Sequence, residues 1–229
     1  MSLSEWIRAG IDLILAVVSG VFVGVVIYWL DEKRAKREQK LEYFKIASSW
    51  SKNKEKPSMR GFDFEDANLA GKSFQTADLE DAHFKNSELE SVDMSGANLT
   101  KANLTSASLS GAKLTDIEAY NANFSKTKIS IDIYREKKSI PDFSEARLNN
   151  AKFKGVHFQH VTFHNAKLAS SDFSRAVLEN CDFTGTDLTD SKWKKVKRVE
   201  NCIWKNVTGA TKENFPEKLL KEIDEQNAE

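Results

Sequence analysis

The sequence predicts an all-β fold in which short turns stack into a column, preceded by an N-terminal transmembrane α-helix and followed by a short C-terminal capping helix. Three features predict these parts: a five-residue apolar period over 62–193, an apolar run over 11–30, and a short amphipathic stretch over 215–223. Helices repeat at about 3.6 residues and strands at about 2, so neither has this period. A strict period of five indicates a repeat architecture.

Residues 1–30 are predicted to hold the transmembrane helix. From Ile11 to Leu30 the only charged residue is Asp12, and Tyr28 and Trp29 stand near the far end, where aromatic interface anchors occur. A cleaved signal peptide and a buried soluble helix are the alternatives. The weak N-terminal charge, the lack of an Ala-x-Ala site and the basic flank after the run all favour an uncleaved span.

Ala16, Gly20 and Gly24 lie four residues apart on one face of this predicted helix. Small residues at that spacing let two membrane helices approach closely. We predict that this face pairs the helix with another copy or with a different membrane protein, although glycine is frequent in membrane spans without such a role.

Residues 31–60 are predicted to form a basic juxtamembrane helix and linker. The segment carries ten Lys/Arg against five Asp/Glu. The positive charge following the run predicts a single-pass protein of the inner (cytoplasmic) membrane of a bacterium, with its N-terminus outside and the column in the cytoplasm. The residues expected to face anionic lipid are Lys33, Arg34, Lys36, Arg37 and Lys40.

Residues 61–210 carry the repeat. Every fifth residue from Phe64 to Ile129 is apolar and mostly large, the residue two places earlier is mostly small, and those between are polar. Each unit would form one side of a coil with its two apolar residues pointing inward. Stacked coils bury those residues and pair their backbones about 4.8 Å apart.

Units such as ANLTK at 97–101, ANLTS at 102–106 and ADLED at 77–81 resemble the pentapeptide-repeat family. The resemblance implies a right-handed quadrilateral β-helix with four units, or about twenty residues, per coil. That step stacks Phe143, Phe163 and Phe183 on one side and Phe153, Phe173 and Trp193 on another.

A phase break at 130–142 separates two runs of the repeat, because Ile129 and Phe143 are not a multiple of five apart. We predict a loop or distorted corner there. The resemblance implies that such interruptions can contact partners, and the alternative is a tolerated insertion. The candidate contact residues are Tyr134, Arg135, Lys137 and Lys138.

Beyond Trp193 the phase slips by one, which predicts that Cys181 and Cys202 stack in adjacent coils as reduced thiols. The two cysteines favour a reducing compartment over a disulfide framework. Residues 211–229 are predicted to be a capping helix with Pro216 near its first turn, covering the open end of the stack.

The motifs predict no catalytic, cofactor-binding or metal site. His157, His160 and His164 are close in sequence, but the repeat places all three outward on polar sides. We expect a non-enzymatic, membrane-tethered scaffold that binds or regulates a protein partner, most plausibly a membrane complex, without nucleic acid.

Two alternatives remain open. A self-associating membrane effector of the pore-forming or stress and phage-defence type would use the glycine face to form a homo-oligomer. The resemblance also implies a DNA-mimic that binds topoisomerase. That function needs acidity along the whole column, whereas residues 61–100 alone hold nine acids against two lysines.

Overall fold

The computed structural model describes the backbone of residues 3–53, 55–131 and 139–228, and the side chains of those from Val21 onward. The elements are α1 (Leu3–Ser49), a 3-10 turn (Trp50–Lys52), β1 (Lys128–Ile129), β2 (His157–Gln159), β3 (Val177–Glu179), β4 (Arg198–Glu200) and α2 (Glu217–Ala228). Residues 1–42 form one compact unit, which contains most of α1, and residues 43–229 form a second.

The second unit is built from four parallel ladders of backbone pairing, and β1 to β4 lie in one of them. Consecutive five-residue units occupy consecutive sides, so we name the sides A to D. Their outward ladder residues are Asp63, His83, Asn103, Asn123, Lys152, Asp172 and Lys192 on face A; Asn68, Glu88, Ser108, Lys128, His157, Val177 and Arg198 on face B; Ser73, Asp93, Lys113, Asp142, Thr162, Asp182 and Ile203 on face C; and Asp78, Asn98, Glu118, Arg147, Lys167, Asp187 and Thr208 on face D.

Most units turn the corner in the same way. The amide of Ala67 donates to the carbonyl of Phe64 at 3.0 Å, and Asp66 between them has a φ of 61°. A positive φ at this position defines a type II turn, which suits Gly, Asn and Asp. The Asp63 carboxylate accepts from the amide of Glu65 at 2.9 Å, and this pattern recurs at later ladder residues. The polar residues of the repeat are therefore required by the turns.

The core confirms the predicted apolar positions. Every fifth-residue side chain from Phe64 to Ile129 and from Phe143 to Trp193 is buried. Thr127 and Thr186 place a hydroxyl at small inward positions, and each hydroxyl donates to the carbonyl three residues earlier at 2.7 Å, whereas the buried hydroxyl of Ser171 has no partner among the described residues. The two threonine hydroxyls enter the core without losing a hydrogen-bond partner.

The phase break does not interrupt the ladders. Asp93 pairs with Lys113 after twenty residues, whereas Lys113 pairs with Asp142 after twenty-nine. The difference of nine residues is accommodated between face B and face C, and the next coil returns to the step of twenty. Later, Asp182 pairs with Ile203 after twenty-one residues, which confirms the predicted slip of one.

The slip brings the two cysteines together. The amide of Ile203 donates to the carbonyl of Cys181 at 2.9 Å, and both thiols are free and buried. Burial raises the pKa of the Cys181 thiol well above its ordinary value, which keeps it protonated. The predicted stacking of the two cysteines in adjacent coils is therefore confirmed.

Both ends of the repeat are covered within the second unit. At the start, Ala47 and Trp50 are buried and the ring of Tyr43 stacks on Phe62 at 3.8 Å. Leu41 and Phe44 continue the same three-residue spacing towards the N-terminus, but their side chains are exposed.

At the other end, side-chain amides replace the next coil. Gln226 of α2 accepts from the amide of Trp204 at 2.8 Å and donates to the carbonyl of Cys202 at 3.1 Å. Asn227 accepts from the amide of Asn206 at 2.6 Å. The Phe215 ring stacks on Trp193 at 5.0 Å. The predicted C-terminal helix thus acts as a cap that satisfies the unpaired edge.

Candidate interaction surface

The predicted helix-association face lies on α1. A methyl group added at Gly24 would meet nothing within 4 Å. Ala16 and Gly20 belong to the part of α1 whose side chains are not described, so their role stays a prediction. Among the residues searched, no helix is both long and apolar enough to cross a membrane. Residues 11–20 of the predicted span lie outside the described side chains.

The predicted lipid-facing segment also lies on α1. Lys33 sits over the ring of Trp29 at 3.8 Å, and Arg34 and Lys36 pair with Glu38 and Glu32 at 3.1 and 2.6 Å. Arg37 is exposed and Lys40 is half-buried. The predicted contact residues Tyr134, Arg135, Lys137 and Lys138 fall in 132–138, outside the described residues.

The three clustered histidines are exposed and do not converge. His157 Nε2 is 3.5 Å from Glu179 Oε2, and His164 Nε2 is 2.7 Å from Asp182 Oδ2. His160 stands at a corner with a φ of 54°. Within the described residues, no group of three or more His, Cys, Asp or Glu side chains is placed to hold a metal ion.

Face A carries the largest concentration of like charge on the column. Seven exposed cations lie on this face or at its corner in the last four coils, and we call them the basic face: Lys126, Lys152, Lys154, Arg175, Lys192, Lys194 and Lys195. In the described part of the chain, none of the seven forms a salt bridge with a carboxylate. The charge is therefore available to an external anion.

One carboxylate, Asp172, lies within the basic face. Burial raises its pKa, but hydrogen bonds from Ser174 and the nearby Lys192 and Lys154 outweigh this effect and hold the pKa below its ordinary value. Asp172 thus stays ionised and offsets only part of the positive charge.

Face C, on the opposite side of the column, carries charges of both signs, with more acidic than basic side chains. Its exposed or half-buried acids are Asp93, Asp116, Asp142, Glu145 and Asp182, against Lys113, Lys205 and His164. Burial raises the pKa of Asp182, but hydrogen bonds from Thr184 and His164 outweigh burial, so the pKa lies below the ordinary value of 3.8.

The lowered pKa of Asp182 predicts a pH-dependent stability. A carboxyl whose folded pKa is below its unfolded pKa stabilises the fold above the unfolded value, and this stabilisation is lost as pH falls through the folded value. We expect the melting temperature to decline below about pH 4, and Asp182→Asn to make that decline shallower. An unchanged slope in Asp182→Asn, measured by thermal melts from neutral to acid pH, would contradict the assignment.

Two cavities lie beside the C-terminal cap. One of about 410 Å³ lies between β4 and α2, and its lining includes Arg198, Glu200 and Leu219. The other, of about 420 Å³, is lined by Lys192, Lys194, Lys195 and Ser174, with Asp190, Ser191, Thr211, Glu213 and Asn214. The second cavity is continuous with the basic face, because three of the seven cations line it.

The sequence places Lys192, Lys194, Lys195 and Lys197 close together, but its local pattern does not show that Lys126, Lys152, Lys154 and Arg175 belong to the same surface. Lys152, Lys154 and Arg175 align with Lys192, Lys194 and Lys195 at the ordinary step of twenty, and Lys126 joins them through the step of twenty-nine. The outward positions of the repeat therefore carry the signal for most of this face.

A family model described as pentapeptide repeats matches the chain in eight copies, at residues 58–96, 77–116, 97–130, 142–180 and 157–192. Together these segments cover more than half of the chain. The gap between the two blocks falls at the insertion before Asp142.

Several solved structures are similar to the chain. HetL, a pentapeptide repeat protein involved in heterocyst differentiation regulation from Nostoc sp. strain PCC 7120, is 19% identical over 65% of this chain and 76% of its own, with a TM-score of 0.31. Trypsin-treated QnrB1, a plasmid-mediated fluoroquinolone resistance protein, is 18% identical over 74% and 86%, with a TM-score of 0.29. A pentapeptide repeat protein from the Arabidopsis thaliana thylakoid lumen is 18% identical over 52% and 69%, with a TM-score of 0.20. A search of curated proteins gave no match.

Proposed function

This chain belongs to the pentapeptide repeat family, and from that premise we propose that it is a non-enzymatic, membrane-tethered interaction scaffold. The N-terminal helix would anchor it once in the inner membrane, with the N-terminus outside and the column in the cytoplasm. The column would bind or regulate a protein partner, most plausibly a membrane complex. Family membership alone does not define a function, so the proposal draws on α1 and on the faces of the column.

The observation that carries the proposal is the exposed apolar surface of α1. Between Val21 and Leu30 all residues except Gly24 are large and hydrophobic, and all are exposed, from Val26 at 37% to Tyr28 at 70%. A helix that is apolar on every side needs apolar surroundings. A basic flank from Lys33 to Lys40 follows at once, and it favours the cytoplasmic side.

The column supports the scaffold part of the proposal. Its interior is filled by the inward side chains, and both of its ends are covered. Its ladder residues point outward from four regular faces. Such a rigid element presents residues at fixed spacing to a partner. A DNA-mimic role would need acidity along the column, and the basic face in the last four coils opposes that alternative.

Two substitutions in α1 test the tether. Val21→Lys/Val25→Lys places two charges within the proposed span, each costing about 2.5–3.5 kcal/mol near the centre. We expect the wild-type protein to stay in the membrane pellet after alkaline carbonate extraction and this variant to move largely to the supernatant. The matched control is Leu41→Lys/Phe44→Lys, which changes exposed apolar residues of the same helix outside the proposed span. Release of wild type, or equal release of both variants, would contradict the tether.

The scaffold role is tested by purification in mild detergent. Full-length protein is compared with a chain that begins at Tyr43, because residues 43–229 retain Ala47 and Trp50 over the end of the column. A stoichiometric partner retained by both would place recognition on the column, and one retained only by the full chain would place it on α1. Recovery of the protein alone as a defined oligomer would favour the self-associating effector.

A further inference from the structure

We propose that the basic face is a docking surface for the anionic lipid headgroups of a membrane, and that the cavity at its C-terminal end receives one phosphate-bearing headgroup. The proposal rests on the proposed tether, because a tethered column keeps this face within reach of a lipid surface. The seven cations span four successive coils, from Lys126 to Lys195, and coils are about 4.8 Å apart. The result is a compact, flat and rigid cationic patch.

The chemistry of the patch favours lipid over other polyanions. Six of its seven cations are lysines, which act as strongly hydrated point charges and lack the bidentate geometry of arginine. The cores of protein interfaces are depleted of lysine. The negative surface potential of a membrane that contains anionic lipid attracts Lys and Arg side chains near its surface.

Nucleic acid fits the patch less well. Side chains read base edges from elements that enter the major groove, whereas the ladder residues of face A lie in a flat parallel array. Binding of single strands relies on exposed aromatic side chains. The aromatic side chains next to the basic face, Phe124, Phe153, Phe173 and Trp193, are all fully buried in the core.

The cavity beside the cap adds a recess to the patch. Lys192, Lys194 and Lys195 line it together with Ser174, so ammonium and hydroxyl donors can surround a phosphate. Asp190 and Glu213 also line the cavity, which favours a ligand that carries both negative and hydroxyl or amine groups. Phosphatidylglycerol and phosphatidylserine headgroups have this composition, and free inorganic phosphate does not.

The test measures which face of the full-length protein lies against lipid. A fluorophore is attached at Ser125→Cys on face A or at Ser144→Cys on face C, each of which lies two residues after the ladder residue of its unit. The protein is added to neutral phosphatidylcholine vesicles, or to vesicles with about 30 mol% phosphatidylglycerol, each containing a headgroup quencher. In anionic vesicles we expect at least about twofold stronger quenching on face A than on face C, and loss of the difference as salt screens the charges.

Charge reversal provides the matched control. Lys154→Glu/Lys194→Glu on the basic face should abolish the difference, whereas Lys167→Glu/Lys205→Glu on faces D and C should keep it. Equal quenching on both faces, or no effect of the first variant, would overturn the proposal. Excess inorganic phosphate should compete only weakly, and displacement by duplex DNA at an equal phosphate concentration would overturn it in favour of nucleic acid.

The same samples also test the docking surface and the membrane tether independently of each other. Flotation of the protein with neutral vesicles reports the tether alone, because no anionic lipid is present. Flotation without face-specific quenching in anionic vesicles would reject the docking surface and retain the tether. Face-specific quenching without flotation on neutral vesicles would retain the docking surface and reject the tether.

Discussion

Phe163→Ala is expected to destabilise the column by about 3–5 kcal/mol. The Phe163 ring is fully buried between Phe143 and Phe183, with centroid distances of 5.1 and 4.8 Å and interplanar angles of 15° and 9°. Phe158 meets it nearly edge-on at 5.3 Å. The coils cannot collapse into the void because the ladders fix their spacing near 4.8 Å, so the cavity should persist.

Urea unfolding monitored by tryptophan fluorescence would measure this loss, since Trp193 and Trp204 are buried in the last coils. Phe163→Leu keeps most of the volume and should cost less than about 1.5 kcal/mol. Phe22→Ala removes a ring of the same size from a site 68% exposed on α1 and should leave the unfolding of the column unchanged. A loss below about 1 kcal/mol for Phe163→Ala would show that the stack is not close-packed around this ring.

Much of the column could be predicted from the sequence because every unit meets the same requirement. Each five-residue segment must bury two apolar side chains, turn a corner with positive φ and pair with the unit one coil away. Phe64 and Leu104 therefore carry the same local pattern, and the pattern of one unit defines the environment of the next. In most other folds, the local sequence pattern of a segment does not specify which distant segment it contacts.

The register beyond Ile129 could not be predicted as readily. The sequence shows that the runs before and after the break are out of phase, but several loop lengths would restore the stack. Only the pairing of Lys113 with Asp142 fixes the insertion at nine residues and keeps four continuous ladders. Lys126 joins the other six cations of the basic face only through this register.

The C-terminal cap shows a second limit. Its apolar residues, such as Leu219 and Ile223, follow a helical spacing that predicts a helix. The amides of Gln226 and Asn227, which accept from the exposed edge of the last coil, carry no pattern of their own. Side-chain capping of an edge depends on the angle at which the helix meets it, and that angle is set by tertiary packing.

A final test concerns the end of the last ladder, where Gly209→Ala is expected to cost about 2–4 kcal/mol by combining backbone strain with overpacking. Gly209 directly follows the ladder residue Thr208 and has a φ of 77°, and an added methyl carbon would lie 2.4 Å from both the Cα and the amide nitrogen of Thr189. Because these are backbone atoms, the backbone itself must move. That movement would disturb the Leu188 amide, which donates to the Thr208 carbonyl at 2.8 Å.

The control is Gly155→Ala, at a corner of the column with a φ of 68° and nothing within 4 Å of the added carbon. Other corners with positive φ already hold larger residues, such as Lys126 and Arg175, so the conformation alone should cost only about 1 kcal/mol. Gly209→Ala should also loosen the cap, since Asn214 donates to the Gly209 carbonyl at 2.9 Å. Amide exchange should therefore accelerate around Trp204 in Gly209→Ala and stay unchanged there in Gly155→Ala. Equal unfolding free energies for the two variants would contradict this prediction. They would mean that the steric contact with Thr189 is relieved at no cost. The last coil would then be held less tightly by its neighbour than its ladder pairing indicates.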